Sequence, residues 1–385
     1  MWWKIPKNLP LSLGPHAAGV LDIMNDFTSS STFFRIYYPS SFNKTENDPS
    51  KWIKWSPNEK YIESLAGVVT NWTTAVKWVI WLLGGEPMVP AMWEVPPSSK
   101  KMPVILFSHG FGATRFISST VAVELASHGY FVASIEHKDT SANMTYYYED
   151  EAARDNDTPT YIEHIKMTFP PNHYEIRNEQ LHKRVDEMKK ILDILEDLNR
   201  GEVTNVLPST FDLQLFKGLL DLNSVCISGH SFGGATSLLT MQTDDRISCG
   251  VILDGWMFPL KDECIEIDKP LLFINTRTFH TEPNLKVMQN IINLFPKDKE
   301  LYTIKNTTHE TQTDMPHIIG YWQNLTMPKL KPEVGTKINN NLILKFLSQH
   351  LKLPLSDEEC RAYLEQEKDK YVEGGLPYPE QKPKL

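Results

Sequence analysis

The 385-residue chain is 41% hydrophobic and 23% charged, which supplies a sizeable core and excludes a disordered polypeptide. Its net charge of −9 lacks the basic excess with which nucleic-acid binders neutralise phosphates, so no nucleic-acid partner is expected. Cys226, Cys249, Cys264 and Cys360 show no CxxC spacing, and HExxH and EF-hand patterns are missing, so neither a disulfide framework, a metal nor a cofactor is expected.

At the N-terminus Pro6, Pro10 and Pro15 interrupt any apolar core of a signal peptide, and Trp2 stands where N-myristoylation needs glycine. No continuous apolar run is long enough to span a bilayer. A soluble, cytoplasmic protein is expected, and the sequons at Asn43, Asn71, Asn143, Asn156, Asn306 and Asn324 weigh little. The first hundred residues read as an N-terminal extension that includes NWTTAVKWVIWLLGG, residues 71–85. There Trp72, Ala75, Val76, Val79, Ile80 and Leu83 share a helical stripe, widened by Trp78, Trp81 and Leu82. A core helix is the bland alternative, but three tryptophans on different faces are hard to bury together. The spacing predicts a helix over about 71–84, either a core helix or an interfacial one peripheral to a membrane or lipoprotein surface. Ile318, Ile319, Tyr321 and Trp322 form a second candidate patch.

Short apolar strands follow at 103–107 (PVILF), 130–135 (YFVASI), 224–228 (SVCIS), 249–253 (CGVIL), 270–274 (PLLFI) and 301–304 (LYTI). Helical patterns alternate with them, at 120–128 and at 179–198, where Leu181, Val185, Met188, Leu192, Leu195 and Leu198 form one face. This alternation predicts a mostly parallel central sheet flanked by helices on both faces. Residues 139–172 are polar and read as an insertion, and the tail 357–385 is charged and expected to be peripheral or frayed.

The segment SVCISGHSFGG, residues 224–234, places Gly229-His230-Ser231-Phe232-Gly233 between a strand and a helical run. This is G-x-S-x-G in the context the chemistry requires. The serine must sit on a turn so tight that side chains at the flanking positions would collide, and the helix N-terminus then faces a developing oxyanion. The reading is a single α/β-hydrolase domain, 1–385, acting as a serine esterase with Ser231 as nucleophile. In this fold the acid and then the histidine follow the serine. Asp254 closes the next strand, whereas Asp244 and Asp245 lie at the wrong end of the helix and the strand after ends in Asn275-Thr276-Arg277. His309 follows the strand at 301–304 by a short loop; His280 precedes a helix, and His317 and His350 fall in helical contexts. The oxyanion hole is expected from the backbone amides of Phe232 and of Phe111, the latter in Ser108-His109-Gly110-Phe111-Gly112 after the first strand.

FSHGFGATR, LASHGYFVASIEHKDTSA, IRNEQ, GHSFGGAT, LDGWMFPL and FIN resemble the platelet-activating factor acetylhydrolase family of calcium-independent phospholipases, from about Gly14 to Leu351. The resemblance implies a triad of Ser231, Asp254 and His309, and a phospholipid substrate cleaved at a short or oxidised sn-2 acyl ester. It also implies surface docking through a helix near 71–84. The alternative within enzymes is a broad carboxylesterase or lipase. The chain departs from the family at Phe111 (usually Leu), Thr114 (usually Phe) and Glu310 (usually Gln or Arg).

Overall fold

The structure, a computed structural model, describes residues 7–69, 87–165, 170–279, 281–320, 327–351 and 357–375. Its strands are β1 (His16–Met24), β2 (Phe33–Asn43), β3 (Trp52–Lys54), β4 (Met88–Trp93), β5 (Met102–Ser108), β6 (Phe131–Glu136), β7 (Met144–Tyr147), β8 (Thr160–Glu163), β9 (Leu220–His230), β10 (Ile247–Leu253), β11 (Leu271–Thr276), β12 (Lys299–Ile304) and β13 (Tyr371–Glu373). The α-helices are α1 (Glu59–Val69), α2 (Ser119–Ser127), α3 (Glu151–Asp155), α4 (His173–Arg200), α5 (Phe232–Thr243), α6 (Glu282–Leu294), α7 (Met315–Ile319), α8 (Pro332–His350) and α9 (Glu358–Gln366).

Eleven strands form one sheet in the order β13-β12-β11-β10-β9-β5-β6-β2-β1-β4-β3, while β7 and β8 make a separate hairpin. From β12 to β6 all neighbours are parallel. Parallel strands need cover on both faces, and alternate residues of β5 serve opposite sides. Val104 and Leu106 join Leu181, Met188 and Leu192 of α4 and Leu238 of α5. Ile105 and Phe107 join Val121 and Leu125 of α2 and Ile338 and Phe346 of α8. The period of two along the strand sets this division.

All six expected strands are present, as are the helices expected at 120–128 and 179–198, while the helix expected over about 71–84 lies outside the described residues. The N-terminal hundred residues do more than extend the fold, since β1, β2, β3 and β4 build one side of the main sheet. The insertion 139–172 contains α3 and the β7–β8 hairpin. The expectation of a frayed tail fails for residues 357–375. Cys360 and Leu364 are buried in a core cluster, and β13 pairs antiparallel with β12.

Charge is buried where β1, β2 and β6 meet the loop after β5. Arg35 holds Asp22 through Nε and Nη2, at 2.7 and 2.8 Å. Arg115 donates to Asp22 at 2.9 Å, to Glu136 at 2.8 Å and to the Tyr61 hydroxyl at 2.9 Å. Tyr61 in turn donates to Glu136, which fastens α1 to the end of β6. Although burial favours its neutral form, Asp22 is held far below the usual carboxylate range by Arg115 and Arg35. A carboxylate so depressed adds stability above its unfolded pKa, and that stability is lost as pH falls. Arg115→Met leaves two buried carboxylates short of a partner and is expected to lower unfolding free energy by about 3–5 kcal/mol. Urea titrations at neutral pH measure this, and the deficit should narrow toward pH 4 as the stranded carboxylates take up protons.

Candidate active site

The register of the sheet brings the predicted nucleophile and acid together. β9 and β10 run parallel with His230 beside Leu253, so Ser231 and Asp254 leave the carboxyl edge as neighbours. Ser231 N donates to Leu253 O at 2.9 Å, and Asp254 N donates to Ile274 O of the next strand at 2.8 Å. Both residues adopt positive φ, 58° for Ser231 and 48° for Asp254. Such backbone is strained for residues with a side chain and persists only where its surroundings impose it. The glycines are required by space. A Cβ on Gly229 would lie 2.1 Å from Gly233 O, and one on Gly233 would lie 1.9 Å from Ser108 O.

Asp254 is buried and accepts from Thr276 N at 2.7 Å, from the Thr276 hydroxyl, and from His309 Nδ1 at 2.7 Å. A carboxylate at Nδ1 fixes the proton there and leaves Nε2 as the basic nitrogen. The His309 ring is stacked on Phe279 with centroids 3.8 Å apart, and His230 flanks it at 4.5 Å. His230 Nε2 donates to the His309 carbonyl at 3.1 Å, while the Thr278 hydroxyl accepts from the His309 amide at 3.1 Å. Burial, reinforced by the neighbouring His309, holds His230 well below its ordinary pKa, so it stays neutral beside the site. The loop beyond His309 is anchored by Asp314, which accepts from the Ser119 and Thr120 amides and the Trp55 indole, each at 2.9 Å.

Phe232 is the first residue of α5, where helical geometry leaves amides without partners. Phe111 lies in the turn after β5, and Gly110 packs against the nucleophile, its notional Cβ 3.1 Å from Ser231 Cβ. Among the described residues neither phenylalanine amide donates a hydrogen bond. Arg184 organises both. Its Nη1 donates to His109 O at 2.7 Å, its Nε donates to Asp139 and Ser141 at 3.0 Å each, and its guanidinium lies 4.3 Å from the Phe232 ring centroid. Ser141 O accepts from Gly112 N at 2.8 Å, closing the other side of the loop. Arg184 carried no role in the sequence reading, where α4 presents a leucine face and an opposite face of lysines and glutamates. Its signal was the position of an arginine within the buried stripe.

Asp244 sits at the far end of α5 and pairs with Arg246, away from the site. His317 bonds Thr336 at 2.9 Å and His350 packs on Phe346, so neither belongs to it. His280 and the expected interface residues Trp72, Trp78, Val79, Trp81, Leu82 and Leu83 lie outside the described residues, as do Tyr321 and Trp322. Ile318 is buried in the core, so it does not contribute to the second surface patch expected there. Among the described residues no three His, Cys, Asp or Glu side chains converge as a metal site requires.

The profile of the family described as "Platelet-activating factor acetylhydrolase, isoform II" matches residues 4–370. A platelet-activating factor acetylhydrolase of Bos taurus is 34% identical over 376 residues, covering 96% of this chain and 83% of that protein. The Cavia porcellus protein of the same name is 36% identical over 363 residues, covering 93% and 81%. Among solved structures, a ferulic acid esterase from Streptomyces cinnamoneus aligns with a TM-score of 0.60 at 17% identity, over 97% of this chain and 99% of that one. That likeness is one of fold, the α/β-hydrolase fold. By the length of the match and the identity of these relatives, the chain belongs to the platelet-activating factor acetylhydrolase, isoform II, family.

Proposed function

We propose that this chain is a calcium-independent serine hydrolase that cleaves short or oxidised sn-2 acyl esters of phospholipids, acting as one hydrolase domain. The observation that carries the reading is the 2.7 Å bond from His309 to a buried Asp254, set one strand across from the strained Ser231. The names of the relatives, platelet-activating factor acetylhydrolases, support the acetyl phospholipid as substrate.

In this mechanism His309 takes the Ser231 proton as Oγ attacks the sn-2 carbonyl, and Asp254 stabilises the imidazolium that forms. The amides of Phe111 and Phe232 receive the oxyanion, where prealigned dipoles favour the transition state over the planar ester. His309 then protonates the departing lysophospholipid oxygen. A water molecule, deprotonated by the same imidazole, releases the acid and restores Ser231.

Acetate release from an sn-2-acetyl phosphocholine, in excess chelator, should proceed with wild type and fall to background with Ser231→Ala. Turnover of simple short-chain esters alone would leave the broad-esterase reading standing. Asp254→Asn should lower kcat by about four orders of magnitude near neutral pH, because the amide stabilises the wrong imidazole tautomer. A loss smaller than tenfold would remove Asp254 from the triad.

Contact with a lipid surface belongs to the same proposal and rests on the tryptophan-rich segment 71–85. Sedimentation with phosphatidylcholine vesicles should drop several-fold for the Trp78→Ala, Trp81→Ala double variant at unchanged melting temperature. Undiminished binding would exclude this segment as the docking element.

A further inference from the structure

Helix α4 carries two buried arginines, Arg177 and Arg184, whose spacing of two helical turns sets them on one face. Each lies over a phenylalanine of the oxyanion loop pair. Arg184 is 4.3 Å from the Phe232 ring centroid, and Arg177 is 4.5 Å from that of Phe111. Their electrostatic surroundings differ. Arg184 pairs with Asp139 at 3.0 Å and spends its remaining donors on Ser141 and His109 O. Arg177 has no ion pair among the described residues.

The Arg177 Nη1 donates to Gln180 Oε1, and Gln180 Nε2 is itself held by Asp139 O at 3.1 Å and the Thr140 hydroxyl at 3.2 Å. The fork is therefore oriented, with one amino group engaged and the edge formed by Nε and Nη2 left over. Arg177 Nε is buried with no hydrogen-bond partner, although the residue is only 1% exposed. Burial draws the guanidinium below its ordinary pKa, and the carboxylate that opposes this, Asp139, is already engaged by Arg184. An enclosed cation without a counter-ion is costly, and an arriving anion relieves that cost.

We propose that Arg177 receives the phosphodiester of the substrate on its Nε/Nη2 edge, giving the enzyme a phosphate subsite beside the oxyanion loop. This rests on the phospholipid reading above. In a glycerophospholipid the phosphate stands a few single bonds from the sn-2 ester, and Arg177 stands against the residue whose amide faces that ester. A planar guanidinium edge matches two phosphate oxygens, which a lysine ammonium cannot reproduce. The side chain is enclosed in the ligand-free chain, so the phosphate displaces neighbouring side chains on entry.

The test compares 1-alkyl-2-acetylglycerophosphocholine with 1-alkyl-2-acetylglycerol, identical esters that differ in the charged headgroup, both kept below their micelle-forming concentrations. Wild type should prefer the phosphodiester in kcat/KM. Arg177→Gln should reduce that preference by about tenfold or more, chiefly through KM, and Arg177→Lys should restore part of it. Equal losses on both esters would make Arg177 a packing residue for Phe111 and overturn the proposal. Equal turnover of both esters by wild type overturns it without any variant. If wild type cleaved the glycerol ester and not the phosphodiester, the phospholipid reading itself would fall.

Discussion

The turn from His109 to Arg115 is held at both ends by buried guanidinium groups, and the geometry of the site depends on that restraint. At one end Arg184 grips the His109 carbonyl, and at the other Arg115 is locked between Asp22 and Glu136. Between them lie Gly110 and Gly112, residues with the freedom to let the Phe111 amide wander. An amide that must face an oxyanion is useful only if its direction is set before the substrate arrives. Replacing buried ion pairs by hydrophobic residues often costs nothing in stability. Here a single loop conformation is the more telling consequence, because an apolar substitute could not grip a carbonyl.

The second restraint is the sheet itself. Ser231 and Asp254 are adjacent positive-φ residues on neighbouring parallel strands, each tied by its amide to the strand alongside. Neither conformation would persist in an isolated peptide. The ladder through Leu253 and Ile274, together with the contact of Gly233 against Ser108 O, imposes both at once. Strain and the helix start at Phe232 thus arise from the same close approach of β9, β5 and α5. The glycines of the motif are the sequence-level trace of that approach.

That trace explains what was legible. The parallel core strands announce themselves as short apolar runs, and the Ser, Asp and His positions follow from where those runs end. β1 and β2 were not recognised because their buried positions include Asp22 and Arg35, a pair that reads as surface in one dimension and becomes interior only when the strands are joined. The short β13, Tyr371-Val372-Glu373, follows the charged run Lys368-Asp369-Lys370 and gains its place from the edge of β12, which no local pattern encodes. Arg184 escaped for the same reason as Asp22. Its charge is satisfied by Asp139, a residue far away in sequence, and long-range neutralisation leaves no periodic signature.

A further arrangement in the molecule separates residue type from function. Ser108 Oγ lies 2.8 Å from His137 Nε2, and His137 Nδ1 lies 2.5 Å from Glu187. By composition this is a serine, a histidine and a carboxyl group, the same residue types as Ser231, His309 and Asp254, here joined in one hydrogen-bonded chain. Ser108, however, ends a fully buried strand in regular extended backbone, with no elbow to lift its hydroxyl and no helix start beside it. Burial pushes Glu187 up to about 7 and holds His137 well below its ordinary value, so the chain resists carrying the ion pair that base catalysis would create. Its backbone contacts point to another role, since Glu187 also accepts from Lys138 N at 2.9 Å and His109 Nε2 accepts from His137 N at 3.2 Å. The relay thus braces the ends of β5 and β6 beneath the turn from His109 to Arg115. Two similar triplets of side chains diverge because one places its serine on strained backbone at a helix start and the other ends a buried strand within the sheet.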